Sequence, residues 1–156
     1  MGIHTYSHVY QDIYKSMEAF QDDYTKLSDY IFELTGEETK VYRFPGGSSN
    51  DYVSEETRKQ ILGWLKEEGI MYFDWNVSSE DAGTVPLSAQ QIANNCINGV
   101  KKCRTAIVLL HDSGAKKSTI EALPLIIEGI NRLGDTIWLP IDEETVAIQQ
   151  IRLTEE

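Results

Sequence analysis

The sequence predicts an α/β fold built on a parallel sheet, and three observations point to it. Short β-rich runs alternate with amphipathic helical runs along the chain, the pattern of βα units. Thr105–Leu110 reads Thr-Ala-Ile-Val-Leu-Leu, a near-continuous apolar run expected of a strand covered on both faces. The helical runs open on serine caps and close on glycine: Ser54 and Ser88 stand at starts, Gly36 and Gly69 at ends.

The strand candidates are Gly2–His4, Lys40–Phe44, Met71–Val77, Thr105–Leu110 and Thr136–Pro140. Between the first two lies a helix whose apolar residues Phe20, Tyr24, Leu27, Ile31 and Leu34 form one stripe, ended by Gly36. A second helix starts near Ser54 and carries Ile61, Leu62 and Leu65 before Gly69. The third opens on the capping box Ser88-Ala89-Gln90-Gln91, with Ile92, Cys96 and Val100 on one face. Ser118-Thr119-Ile120-Glu121 is a second capping box. Proline suits only the first helical turn, so Pro124 places the regular part of that helix at Pro124–Leu133.

A chain of 156 residues fits a single domain with a proper core, here taken as residues 1–156. Its 14 basic and 25 acidic side chains leave a net charge of −11. That balance repels phosphate backbones and anionic lipid, which argues against nucleic acid and membrane surfaces as partners. No apolar run approaches the roughly 18 residues that cross a bilayer, and no basic-then-apolar segment follows Met1, so no secretion signal is expected. If one helix carries both Cys96 and Cys103, their seven-residue spacing separates them by roughly 10 Å. A disulfide tolerates about 7 Å between Cα atoms, so both are expected as free thiols.

The chemistry-bearing residues gather at predicted strand ends. His4 and His8, four residues apart in His4-Thr5-Tyr6-Ser7-His8, can meet one metal ion or be incidental. Arg43-Phe44-Pro45-Gly46-Gly47 sets a fixed charge beside a loop whose N–H groups suit an oxyanion, or is an ordinary Pro-Gly turn. Asp81 follows the third strand, where it can orient a histidine or pair with Arg43. His111 follows the apolar fourth strand, a good place for acid–base work. Asp74 is hard to bury without partners and is expected to face a polar interior. Trp75 reads as packing, and Asp22-Asp23 as a solvated helix face. In a parallel sheet the strand ends share one side, so the combination favours a metal-assisted hydrolase.

The same residues resemble a known family, the polysaccharide deacetylases with a NodB-homology domain (carbohydrate esterase family 4). His4-Thr5-Tyr6-Ser7-His8 resembles its H-[ST]-x-x-H motif, and Arg43-Phe44-Pro45-Gly46 its R-x-P-Y motif. Ser78-Ser79-Glu80-Asp81-Ala82 resembles D-x-x-D-W, and Leu109-Leu110-His111 resembles L-x-H. The motifs occur in family order across essentially the whole chain. Gly46 stands for Tyr, Ser78 for the first Asp and Ala82 for Trp, and the opening T-F-D-D motif, source of the family's base and third metal ligand, is absent.

The resemblance implies an incomplete (β/α) barrel of about five parallel strands with helices outside, lacking the first strand–helix units. It implies deacetylation of an N-acetylated polysaccharide such as peptidoglycan or a chitin-like glycan, outside the cytoplasm or at the cell envelope. His4 and His8 would bind a divalent metal, typically zinc, weakly without the third ligand. His111 would act as acid, oriented by Asp81. Arg43 would steady the base, Gly46 would donate to the oxyanion, and Leu109 would line the acetyl pocket. Impaired activity and self-association through exposed sheet edges are further expectations. The alternatives are a non-catalytic relative that binds carbohydrate or protein, and an unrelated α/β small-molecule binder.

Overall fold

Helices and short parallel strands alternate along the chain, as βα units require. The computed structural model describes residues 1–114, 116–142 and 144–153. These divide into two units: residues 1–74 with the segment from 140 onward, and residues 75–139.

In the first unit, α1 spans Tyr10–Ile13, α2 Met17–Thr35, β1 Val41–Tyr42, α3 Glu55–Glu67 and β2 Met71–Tyr72. β1 and β2 pair in parallel, Val41 opposite Met71 and Tyr42 opposite Tyr72. The predicted first strand reduces to one bridge, Ile3 to Tyr42, also parallel. Ser16 caps α2 by accepting from the Ala19 N–H, and Gly36 ends it at φ 72°, a backbone angle glycine takes without strain. Ser54 caps α3 in the same way through the Thr57 N–H. The apolar stripe of α2 buries Phe20 and Tyr24 and half-buries Leu27 and Ile31. Leu34, at 69% exposed, lies past the core. Edge-to-face rings fill the centre, with Tyr42 and Phe44 5.0 Å apart and Phe44 and Tyr72 5.4 Å apart.

The second unit holds β3 (Val77–Ser78), α4 (Ala89–Val100), β4 (Val108–Leu109) and α5 (Lys117–Asn131). β3 and β4 pair in parallel, Val77 with Val108 and Ser78 with Leu109. Ser88 and Gln91 complete the expected capping box of α4. Ile92, Ala93 and Cys96 of α4 pack against Ala122, Ile126 and Ile130 of α5. Both cysteines are free thiols. Burial, with the nearby charge of Asp81, pushes the Cys96 thiol up to about 11, so it packs as a small apolar group.

Four expectations need correction. Met71–Val77 is not one strand but β2 and β3, in separate sheets. The break falls at Asp74, whose N–H donates to the Ile148 carbonyl instead of continuing the ladder. Thr105–Leu110 shortens to β4 and is not fully buried: Ile107, Val108, Leu109 and Leu110 are all half-buried, with Val108 and Leu110 packed on the α4–α5 core. Thr136–Pro140 forms no strand, because no described strand pairs with it, and Ile137 and Leu139 are 80% and 73% exposed. Finally, α5 begins at Lys117 without a side-chain cap, with Pro124 in its interior. The burial of Thr119 and Ala122 secures the early turns, although proline removes one helical hydrogen bond.

The close approach of α4 to β3 gives a test. A Cβ on Gly99 would overlap the branched Val77 side chain, whereas one on Gly129 would meet chiefly the mobile tip of Ile97. Gly99→Ala is expected to destabilise the protein by about 1–3 kcal/mol, and Gly129→Ala by distinctly less, in denaturant unfolding.

Candidate functional site

The site residues fall into two groups, one in each unit. In the first unit the chain leaves its bridge to β1 at Ile3 and enters the loop His4–His8. The His4 ring meets the Arg43 carbonyl through Nδ1 at 2.7 Å. A carbonyl only accepts, so Nδ1 carries the proton and the neutral ring keeps its lone pair on Nε2. Metal-ligating histidines are held in this way. The His8 ring lies 5.2 Å from that of His4. The pair is therefore two imidazole donors brought together across a turn, with Thr5 at φ 104° and His8 at φ 54°.

Asp23 makes that turn. Its carboxylate accepts from Thr5 Oγ1 at 2.5 Å, the Tyr6 N–H at 2.6 Å, the Ser7 N–H at 3.0 Å and Ser7 Oγ at 2.7 Å. Burial would raise its pKa, but these bonds hold it below the ordinary carboxylate range. The solvated face expected for Asp22-Asp23 is right for Asp22 alone. Helical spacing turns Asp23 toward the N-terminal loop, which the pattern of α2 by itself does not reveal.

The loop after β1 is fixed from beneath. Gly46 and Gly47 take φ 76° and 83°, where a side chain would be strained. A Cβ on Gly46 would also crowd Asn50. Tyr14 donates to the Pro45 carbonyl at 2.8 Å and Asn50 to the Gly47 carbonyl at 2.7 Å. Gly46 itself is exposed, and among the described residues its N–H makes no backbone hydrogen bond. The Tyr10 ring connects this loop to the histidines, 5.5 Å from His8. Asp74, fully buried, accepts from the Ser48 N–H at 2.7 Å, Ser48 Oγ at 2.5 Å and the Gln150 N–H at 2.7 Å. It thus has the partners its burial demands, and its job is to brace the loop.

In the second unit Asp81 meets His111. Asp81 Oδ1 lies 2.7 Å from His111 Nδ1, and Oδ2 accepts the His111 N–H at 2.9 Å. His111 is thus a partner of Asp81, as the sequence allows. Ser79 Oγ and Thr119 Oγ1 donate to the same carboxylate at 2.8 and 2.9 Å. The Lys116 ammonium donates to the Asp81 carbonyl. Burial works against the charge, but the bonds from His111, Ser79 and Thr119 outweigh it and bring Asp81 down to about 2. An ionised Asp81 fixes the proton on His111 Nδ1 and leaves Nε2 for proton exchange. The His111 side chain is 35% exposed and that of Asp81 1%. Leu109, two residues before His111, is half-buried at the end of β4.

A family model for polysaccharide deacetylases matches residues 1–73. The chain is 34% identical to a solved structure, the catalytic domain of peptidoglycan N-acetylglucosamine deacetylase from Eubacterium rectale. That likeness covers 98% of this chain and 70% of the other, with a TM-score of 0.88. A CE4 esterase from Streptococcus mutans is 27% identical, over 86% of this chain and 60% of its own, with a TM-score of 0.72. The putative polysaccharide deacetylase YheN of Bacillus subtilis is 25% identical over 139 residues, 86% of this chain and 46% of that protein. The chain thus spans about half the length of this curated relative.

The lowered pKa of Asp81 sets a direction with pH. A carboxyl whose folded pKa lies below its unfolded value adds stability above the unfolded pKa, and that stability is lost as pH falls through the folded one. Unfolding followed by circular dichroism should show stability dropping as pH falls from about 4 toward 2. Asp81→Asn should flatten that drop and cost about 1.5–3 kcal/mol near neutral pH.

Proposed function

The chain belongs to the polysaccharide deacetylases of carbohydrate esterase family 4, and we propose that it serves hydrolysis of the N-acetyl amide of a polysaccharide such as peptidoglycan or a chitin-like glycan. The observation that carries this reading is the His4–His8 pair, with its rings 5.2 Å apart and the His4 proton fixed by the Arg43 carbonyl. It sits in a chain 34% identical to the catalytic domain of a peptidoglycan N-acetylglucosamine deacetylase. The short parallel strands are read as arcs of the family's (β/α) barrel.

His4 and His8 suit a divalent metal of zinc's kind: both are imidazoles, and the first is oriented by a hydrogen bond of the sort that tunes such ligands. Among the described residues no group of three His, Cys, Asp or Glu side chains stands together. When bound, the metal would polarise the acetamide carbonyl and acidify a water.

The chain's own residues then have these roles. The exposed Gly46 N–H donates to the oxygen that gains charge in the tetrahedral intermediate. Asp81 holds Nδ1–H of His111 and stabilises the imidazolium, and His111 delivers the Nε2 proton to the departing amine. Arg43 would steady the base that takes the water's proton, a part the family draws from its T-F-D-D motif and that no residue of this sequence is assigned. Leu109 offers an apolar wall to the acetyl methyl.

Acetate release from an N-acetylglucosamine oligomer tests the reading. Chelator should stop release and added zinc restore it, slowly, because two imidazoles hold zinc more weakly than three ligands do. His111→Gln should lower the rate by about 100-fold or more. Release indifferent to chelator and to His111→Gln would overturn the mechanism. A complete lack of zinc-dependent release at high protein concentration would favour a non-catalytic glycan binder instead.

A further inference from the structure

We propose that Asp23 is a positioning residue for the metal-binding histidines, holding the His4–His8 loop in the strained shape that brings the two rings together. The inference rests on the reading of His4 and His8 as ligands. The loop has two backbone angles that side chains resist. Thr5, a β-branched residue, sits at φ 104°, and His8 at φ 54°. Such angles are costly for residues with a side chain and persist only where the surroundings impose them.

Asp23 is what imposes them. Oδ2 takes Thr5 Oγ1 and the Tyr6 N–H, and Oδ1 takes the Ser7 N–H and Ser7 Oγ. Every residue between the two histidines therefore donates to one carboxylate. The hold reaches His8 itself, since Thr5 Oγ1 also accepts the His8 N–H at 3.3 Å. Ser7 Oγ likewise accepts the Val9 N–H at 3.3 Å. One turn further along α2, the Lys26 ammonium lies 4.0 Å from the centre of the Tyr6 ring and closes the same seam. Asp23 is fixed in turn by its helix, whose neighbouring Tyr24 is buried in the core.

Tyr6 and Ser7 are exposed, so water can accept from the loop's donors in place of the carboxylate, and removing it leaves the core intact. It frees Thr5 to relax to an ordinary backbone angle, and the two rings then lose their mutual placement. A residue that merely stabilised the fold would not act in this way.

The test uses Asp23→Asn, which keeps the size, and Asp23→Ala, with Asp22→Asn as the control on the exposed neighbour. Zinc is titrated against the His4 and His8 ring signals by NMR, amide exchange of Tyr6 and Ser7 is measured, and thermal unfolding is followed without metal. Both Asp23 variants should weaken zinc binding by about tenfold or more and speed exchange at Tyr6 and Ser7, while Asp22→Asn matches the parent. Asp23→Asn guards against misfolding of the alanine variant. A folded Asp23 variant that binds zinc within about threefold of the parent would overturn the positioning role. A parent protein whose histidine signals ignore zinc would overturn the metal reading, and this inference with it.

Discussion

A carboxylate taken out of water must be met by donors, and in this protein that requirement fixes three loops. Asp23 collects the turn between His4 and His8. Asp74 collects Ser48 and Gln150 beneath the Pro-Gly loop. Asp81 collects His111, Ser79 and Thr119. Each bears on residues with a role in the proposed chemistry. None stands on a long sheet, because the strands are two residues each. Precision that a longer ladder would supply comes here from charge-assisted hydrogen bonds, which are shorter and stronger than neutral ones.

Much of the architecture is legible in the sequence because the local signals are strong and agree with one another. The serine caps at Ser54 and Ser88 and the glycine stop at Gly36 all stand where the pattern puts them. What fails to be legible is tertiary. Nothing in Met71–Val77 announces that the chain changes sheets at Asp74, since the cause is a backbone bond to residue 148 far along the sequence. The run Thr105–Leu110 is apolar on both faces, yet among the described residues only the face of Val108 and Leu110 finds the helical core. Pro124 misleads because propensity places it at a helix start, whereas packing of Thr119 and Ala122 begins the helix earlier.

The site shows the same division. Motif spacing and the family resemblance single out His4, His8, Arg43, Gly46, Asp81, Leu109 and His111 as candidates, because the proposed chemistry asks for particular groups at strand ends. They do not find the residues that aim them. Asp23 is hidden by its place in a charged helical stretch. Tyr14 and Asn50, which pin the carbonyls of Pro45 and Gly47, carry no local mark at all. A hydroxyl or amide that serves another residue's backbone is recognised only once the backbone is in place.

The link from Asp74 to Gln150 also orders events during synthesis. The first unit is discontinuous, with residues 75–139 forming the other unit between its two parts. Ile151 donates its N–H to Ser48 Oγ, and Tyr72 donates its hydroxyl to the Ile151 carbonyl. A chain emerging from the ribosome therefore presents Asp74 short of a donor until residue 150 has been made. Once residue 150 has itself left the tunnel, residues 75–139 have left it already, so the unit that begins first is the one that closes last.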